Sequence, residues 1–131
     1  MSFNRATVAP ALANVLDEAR AEGDTFSVFS APPESLNAPA LVVGRPIEVR
    51  YGVFAMNVDE AELPVICIGQ FLSGEDVVSG LIAFVRRTVQ ANNTLGGAVP
   101  SCVATLERSW RAIRVGGTDL LAADVVLTIN G

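Results

Sequence analysis

Apolar positions along the chain change period several times, and each change marks an element. Val8, Leu12, Val15, Leu16 and Ala19 recur at helical spacing, while Asn14, Asp17, Glu18, Arg20 and Glu22 take the other side. This predicts an amphipathic helix with Pro10 near its start and Gly23 ending it in a left-handed cap. Residues 25–29 mix aromatic and β-branched side chains in a short strand-like run, and residues 30–39, with Pro32, Pro33 and Pro39, read as a loop. From Ala40 the chain is extended. Leu41, Val42 and Val43 lead through Gly44 into Ile47, Val49, Tyr51 and Val53, which alternate with Glu48, Arg50 and Gly52. Period two predicts a strand with one buried and one wet face, Pro46 lying at its beginning or on a sheet edge.

Residues 57–62 read as an acidic loop. They lead into residues 63–72, a strand so uniformly apolar that it predicts cover on both faces of the sheet. Ser73 and Asp76 make a capping-box-like start, with Glu75 near the positive end of the dipole. Val77, Val78, Leu81, Ile82, Val85 and Val89 then trace one face of a helix ending near Asn92 and Asn93, with Arg86 and Arg87 in its last turns. After the Gly96–Gly97 loop, residues 102–115 and 120–129 read as an antiparallel hairpin, in which Gly116 and Gly117 supply positive φ cheaply. The order helix, three strands, helix, two strands predicts one α+β domain over residues 1–131. Its core is a single mixed or mostly antiparallel β-sheet flanked by two main helices.

Composition narrows the chemistry. The 131 residues include nine arginines, no lysine, no histidine and fourteen carboxylates, for a formal net charge of −5. Triads built on histidine, histidine metal ligands, phosphate-loop lysines and Schiff bases are thereby excluded. The acidic balance argues against a general nucleic-acid binder. Cys67 and Cys102 are too few for a structural zinc site and lie in apolar, strand-like contexts, so both are expected reduced and buried. The expected product has no cofactor, no metal and no catalytic residue. The N-terminal stretch lacks the pattern of a secretory signal, and the uncharged run 88–106 carries two asparagines, two glycines and a proline, unlike a membrane span. A soluble protein made in a cytoplasm is expected.

Two clusters remain as candidate contact surfaces. Asp59, Glu60 and Glu62 are the densest carboxylates, with oxygens suited to a hard cation, yet the surrounding pattern of a calcium loop is missing. A solvent-facing or partner-facing loop is the expectation. Arg108, Arg111 and Arg114, with Trp110 among them, form a basic and aromatic patch; in a regular strand Arg108 and Arg114 share a face and Arg111 lies opposite. Such a patch suits single-stranded nucleic acid, but the acidic total favours pairing with carboxylates of a neighbouring strand or subunit. Residues 1–62 hold nine acids against four arginines, among them Arg45 and Arg50, whereas residues 63–131 hold five of each. An acidic and a neutral half can meet head to tail between identical subunits, or as neighbours within one fold.

The chain resembles the tail terminator proteins of long-tailed (siphovirus-type) phages over nearly its whole length. The likeness lies in the N-terminal amphipathic helix, the Pro-Ala-Leu-Val-Val-Gly segment at 39–44 and the Ile-Glu-Val-Arg-Tyr strand at 47–51. The Leu-Pro-Val-Ile-Cys-Ile strand at 63–68, the long helix after Ser73 and the closing hairpin around Val115-Gly116-Gly117 complete it. The resemblance implies a virion protein at the head–tail junction, assembled in the host cytoplasm. There it forms a homohexameric ring on the finished tail tube, ends polymerisation of the major tail tube protein and offers the surface on which the head-tail connector or stopper protein docks. It implies no sequence-specific nucleic-acid contact, although genome DNA passes through such a ring's lumen. A head-completion or connector subunit is the alternative within that assembly; a small-ligand-binding or enzymatic α+β domain is the alternative outside it.

Overall fold

The structure, a computed structural model, describes residues 4–53, 58–72 and 74–130. Its elements are α1 (Arg5–Glu18), β1 (Ser27–Phe29), β2 (Ala40–Val43), β3 (Glu48–Val53), β4 (Val58–Gln70), α2 (Glu75–Ala91), β5 (Ser101–Val115) and β6 (Thr118–Asn130). The strands form one sheet in the order β1-β2-β4-β6-β5, with β3 also paired to β4. Among the described residues, only β1 and β2 run parallel; every other pairing is antiparallel. The expected α+β class with a mixed, mostly antiparallel sheet and two helices is the observed one.

Both helices lie on one side of the sheet. Leu12 and Leu16 of α1 and Val78, Ile82 and Val85 of α2 share a buried cluster with Leu41, Val43, Leu63, Val65, Cys67, Val125 and Leu127. Strand alternation sends Ala40, Val42, Ile68, Leu120 and Ala122 to the outer face, where Leu36 and Ala38 from loop 30–39 cover them. Cover on both faces accounts for the apolar run in β4, as its composition implies.

Several boundaries differ from the sequence reading. The acidic segment expected as a loop is strand: Val58–Gln70 is continuous, because pairing with β3 on one edge and β6 on the other recruits Asp59 to Glu62 into the ladder. Asn57 lies outside the described residues. The extended stretch from Ala40 is two strands. Val43 pairs with Val65 and Glu48 with Glu62, so residues 44–47 bulge out while β4 runs straight past them. α1 ends at Glu18, ahead of Gly23, which takes φ +94° in the following turn. At its start, the Asn4 side chain accepts a hydrogen bond from the Ala6 N–H. The Ser73 cap lies outside the described residues; α2 is capped by Gly74, whose side carries no capping hydrogen bond. α2 ends at Ala91, next to the expected end at Asn92 and Asn93, with Arg86 and Arg87 in the turn before its last. The closing hairpin is tighter than expected: Val115 pairs with Thr118, and Gly116 and Gly117, at φ +59° and +82°, make a two-residue turn with both central residues left-handed.

Gly74 and Gly80 predict opposite outcomes. A Cβ on Gly74 would collide with the backbone carbonyl of Gln70, whereas a Cβ on Gly80, inside α2, meets nothing within 4 Å. Gly74→Ala should therefore lower stability by more than about 1 kcal/mol, and Gly80→Ala should raise it by about 0.5–1 kcal/mol through helix propensity. Urea unfolding of the three proteins checks both signs.

Candidate interaction surface

Strand alternation distributes the carboxylates of β4. Asp59 shares the helix face with Ala61 and Leu63 and is buried, while Glu60 and Glu62 point to the outer face opposite Arg50 and Glu48 of β3. Three acids that look adjacent in sequence are thus divided between two faces. Among the described residues, no group of three or more histidine, cysteine, aspartate or glutamate side chains is gathered to hold a metal ion. Arg50 is held by its neighbours instead: its Nε donates to Glu48 Oε1 at 2.9 Å, and its Nη1 lies 3.8 Å from Glu60 Oε1. These pairs are exposed and worth little in stability. Arg45 stands exposed in the bulge between β2 and β3.

The arginines of β5 do not alternate as a regular strand would have them. Two register shifts interrupt the β5–β6 pairing, one between Ala104 and Leu106 and one between Arg108 and Arg111. At the second, Ser109 adopts φ +61° and the strand gains a residue, which inverts the faces beyond it. Arg108 lies opposite Asp124 and Arg111 opposite Ala122, so these two share the outer face and Arg114, opposite Asp119, takes the other. The expected grouping of Arg108 with Arg114 is thereby overturned. Arg111 Nη1 donates to Asp124 Oδ1 at 3.1 Å and to the Ser109 carbonyl at 2.7 Å, and Arg114 Nε lies 3.4 Å from Asp119 Oδ1. Trp110 Nε1 donates to Glu107 Oε2 at 3.0 Å. Both pairings join neighbouring strands, as the acidic charge balance favours.

A surface that the sequence reading missed lies on β3. Alternation marks Ile47, Val49 and Tyr51 as a buried face, yet Ile47 is 41% and Tyr51 78% exposed, because neither helix extends over this end of the sheet. On the far edge, Val103 and Leu106 of β5 are each 51% exposed. Among the described residues, β3 pairs only with β4 and β5 only with β6, so both strands present an open edge. Arg5 secures the other end of the β2–β3 bulge: its Nη2 donates to the carbonyls of Ser30, Val43 and Gly44 at 3.3, 3.2 and 3.1 Å. The helix start, the outer loop and the bulge are thereby tied together.

The cysteines are free thiols buried on the helix face of the sheet. Burial pushes the Cys102 thiol up to about 12; burial, reinforced by the charges of Asp124 and Glu107, pushes that of Cys67 up as well. Cys67 is level with Ala123 and Cys102 with Ile129, six residues apart along β6 and hence about 20 Å, too far for a bridge. Among the described residues, no helix is long and apolar enough to cross a membrane. No protein-family model matches the chain, and no curated protein matches it.

Alkylation of the native protein near pH 8 should leave both cysteines unlabelled, and unfolding should expose both; mass spectrometry gives the count. The raised thiol values also fix a sign. In the folded state the thiols keep their protons after those of the unfolded chain begin to ionise, so their contribution to stability is constant below about pH 8 and is lost as pH rises toward 12. Urea midpoints across that range should decline, and the Cys102→Ala variant should decline less steeply.

Proposed function

We propose that the chain is a structural, purely associative protein: a tail terminator whose homohexameric ring caps the phage tail tube and receives the head. One observation carries the reading. The core of the chain is closed by two helices on one face and loop 30–39 on the other, yet strands at opposite edges of the same sheet keep open main-chain edges and uncovered apolar side chains. A monomer with such edges is built to continue into neighbours. The whole-chain resemblance to tail terminators supplies the identity of the assembly, and the ion-paired arginines of β5 suit a protein surface better than a phosphate track.

In this reading the ring belongs to the head–tail junction of the virion and assembles in the host cytoplasm. One ring face meets the last layer of the major tail tube protein and the other meets the head-tail connector or stopper protein, and genome DNA passes through the lumen without sequence readout. The mechanism is geometric. A growing tube exposes the same addition surface at every step, so a ring that occupies this surface and presents a different one halts growth without consuming energy.

Removing the gene should yield filled heads and unjoined tails whose tubes exceed normal length, seen by electron microscopy. Six copies per particle should appear in images of wild-type virions. Tails of normal length that fail to join heads would instead make the chain a connector subunit, and infectious particles of normal form would end the assembly reading.

A further inference from the structure

We infer that the open edge of β3 in one copy pairs with the open edge of β5 in the next, and that Ile47 and Tyr51 enter the groove between α2 and β5 of that neighbour. This contact deepens the ring reading above and rests on it only for closure into a ring.

Strand direction is the first support. β4 is antiparallel to both β3 and β6, and β6 is antiparallel to β5, so β3 and β5 point in opposite senses at the two edges of the sheet. When a copy is carried to its neighbour by rotation about an axis along the strands, β3 meets β5 antiparallel.

Height is the second. Through the ladders Glu48 is level with Glu62, Thr128 and Val103, and Arg50 is level with Glu60, Asn130 and Ser101. A contact between copies at equal height therefore sets residues 48–50 of one beside residues 101–103 of the next and needs no displacement along the strands. A heterologous contact without rise closes into a ring, and one with rise winds into a filament.

Side chains are the third. Ile47 and Tyr51 project from β3 on the helix face, 41% and 78% exposed. Beside β5 runs a groove of about 560 Å³ lined by Ala83, Arg86, Arg87, Gln90, Cys102 and Ala104 among others. Because α2 covers the helix face of β5, it would cover the same face of a strand added at that edge, which is the cover that β3 lacks. The groove lining carries Arg86 and Arg87 and no carboxylate, and the side chains of β3 that share its face are the uncharged Ile47, Val49 and Tyr51, so the contact at the groove is apolar and aromatic, while Glu48, Glu60 and Glu62 lie on the outer face. An arginine over the Tyr51 ring would add a cation–π contact. A strand added to an open edge with alternate side chains in a groove is a familiar mode of recognition. Here both halves of it belong to one chain.

The test uses two variants of exposed residues: Ile47→Asp with Tyr51→Asp on β3, and Arg86→Glu with Arg87→Glu on the groove. Both should melt as the wild type does. Sedimentation and native mass spectrometry from micromolar to millimolar concentration should show wild-type self-association and at least about tenfold weaker association for each variant alone. Mixing the variants leaves one intact β3 and one intact groove, so the mixture should form a one-to-one dimer and stop. Wild-type protein that stays monomeric throughout, variants that associate like the wild type, or a mixture that forms no dimer overturns the contact. Such a result leaves the edges to a strand of another protein. The terminator reading fails separately, on the particle images.

Discussion

Everything in this fold depends on β4 being paired along both edges through most of its length. Its thirteen residues meet β6 on one side from Glu60 to Gln70 and β3 followed by β2 on the other. The middle of the strand is covered on both faces, which is why Leu63, Val65 and Cys67 can be apolar toward the helices while Ile66 and Ile68 are apolar toward the outer loop. The same enclosure raises the thiol of Cys67. It also draws Asp59, Glu60 and Glu62 into the ladder although their composition suits a turn: the gain from continuing two hydrogen-bonded pairings outweighs a weak local preference.

Pro64 shows how closely the two sides of β4 are matched. A proline in a central strand removes a donor from the ladder. The Pro64 carbonyl accepts from the Gly44 N–H at 2.8 Å, so the residue's hydrogen-bonding side faces β2 and β3, at the point where residues 44–47 bulge away. The missing donor falls where the partner strand is broken. Gly44 is needed there for room, since a Cβ would come within 2.8 Å of the Pro64 ring. Pro46, also without a donor, sits inside the break. One interruption thus accommodates two prolines, and it divides the extended run into β2, whose faces are buried, and β3, whose apolar face is not.

What could be read from the sequence was whatever local period determines. The face of α2 marked by Val78, Leu81, Ile82, Val85 and Val89, the antiparallel hairpin turning at Gly116–Gly117 and the double cover of β4 all follow from spacing and turn chemistry. What could not be read depends on pairing. The bulge at Ser109 reverses the faces of Arg108, Arg111 and Arg114, and no residue type in Glu107-Arg108-Ser109-Trp110 announces a left-handed serine. The exposure of Tyr51 escaped for a similar reason. Alternation says that a face is apolar, but only the reach of the helices says whether anything in the same chain lies over it. The arginines that line the groove, Arg86 and Arg87, were legible as helix residues but read as dipole partners, because the groove beside them exists only once β5 packs along α2.

Open sheet edges are hazardous, and the distribution of charge bears on how this chain limits them. Charged side chains on an edge strand deter indiscriminate pairing, and here the two edges carry unlike sets: Glu48 and Arg50 beside Glu60 and Glu62 at one, Arg108, Arg111 and Arg114 along β5 at the other. Pairing β3 with a second β3 brings carboxylates together and leaves Ile47 and Tyr51 without a helix to cover them. Pairing β5 with a second β5 gathers arginines and sets two copies of α2 against each other. Both like-with-like arrangements are disfavoured by the same features that make the unlike one favourable. Specificity of this kind requires no large buried area, only that each wrong pairing cost several kcal/mol more than the right one. A core that is already closed within the monomer is what makes it workable, because the edges are then free to be tuned for a partner instead of for folding.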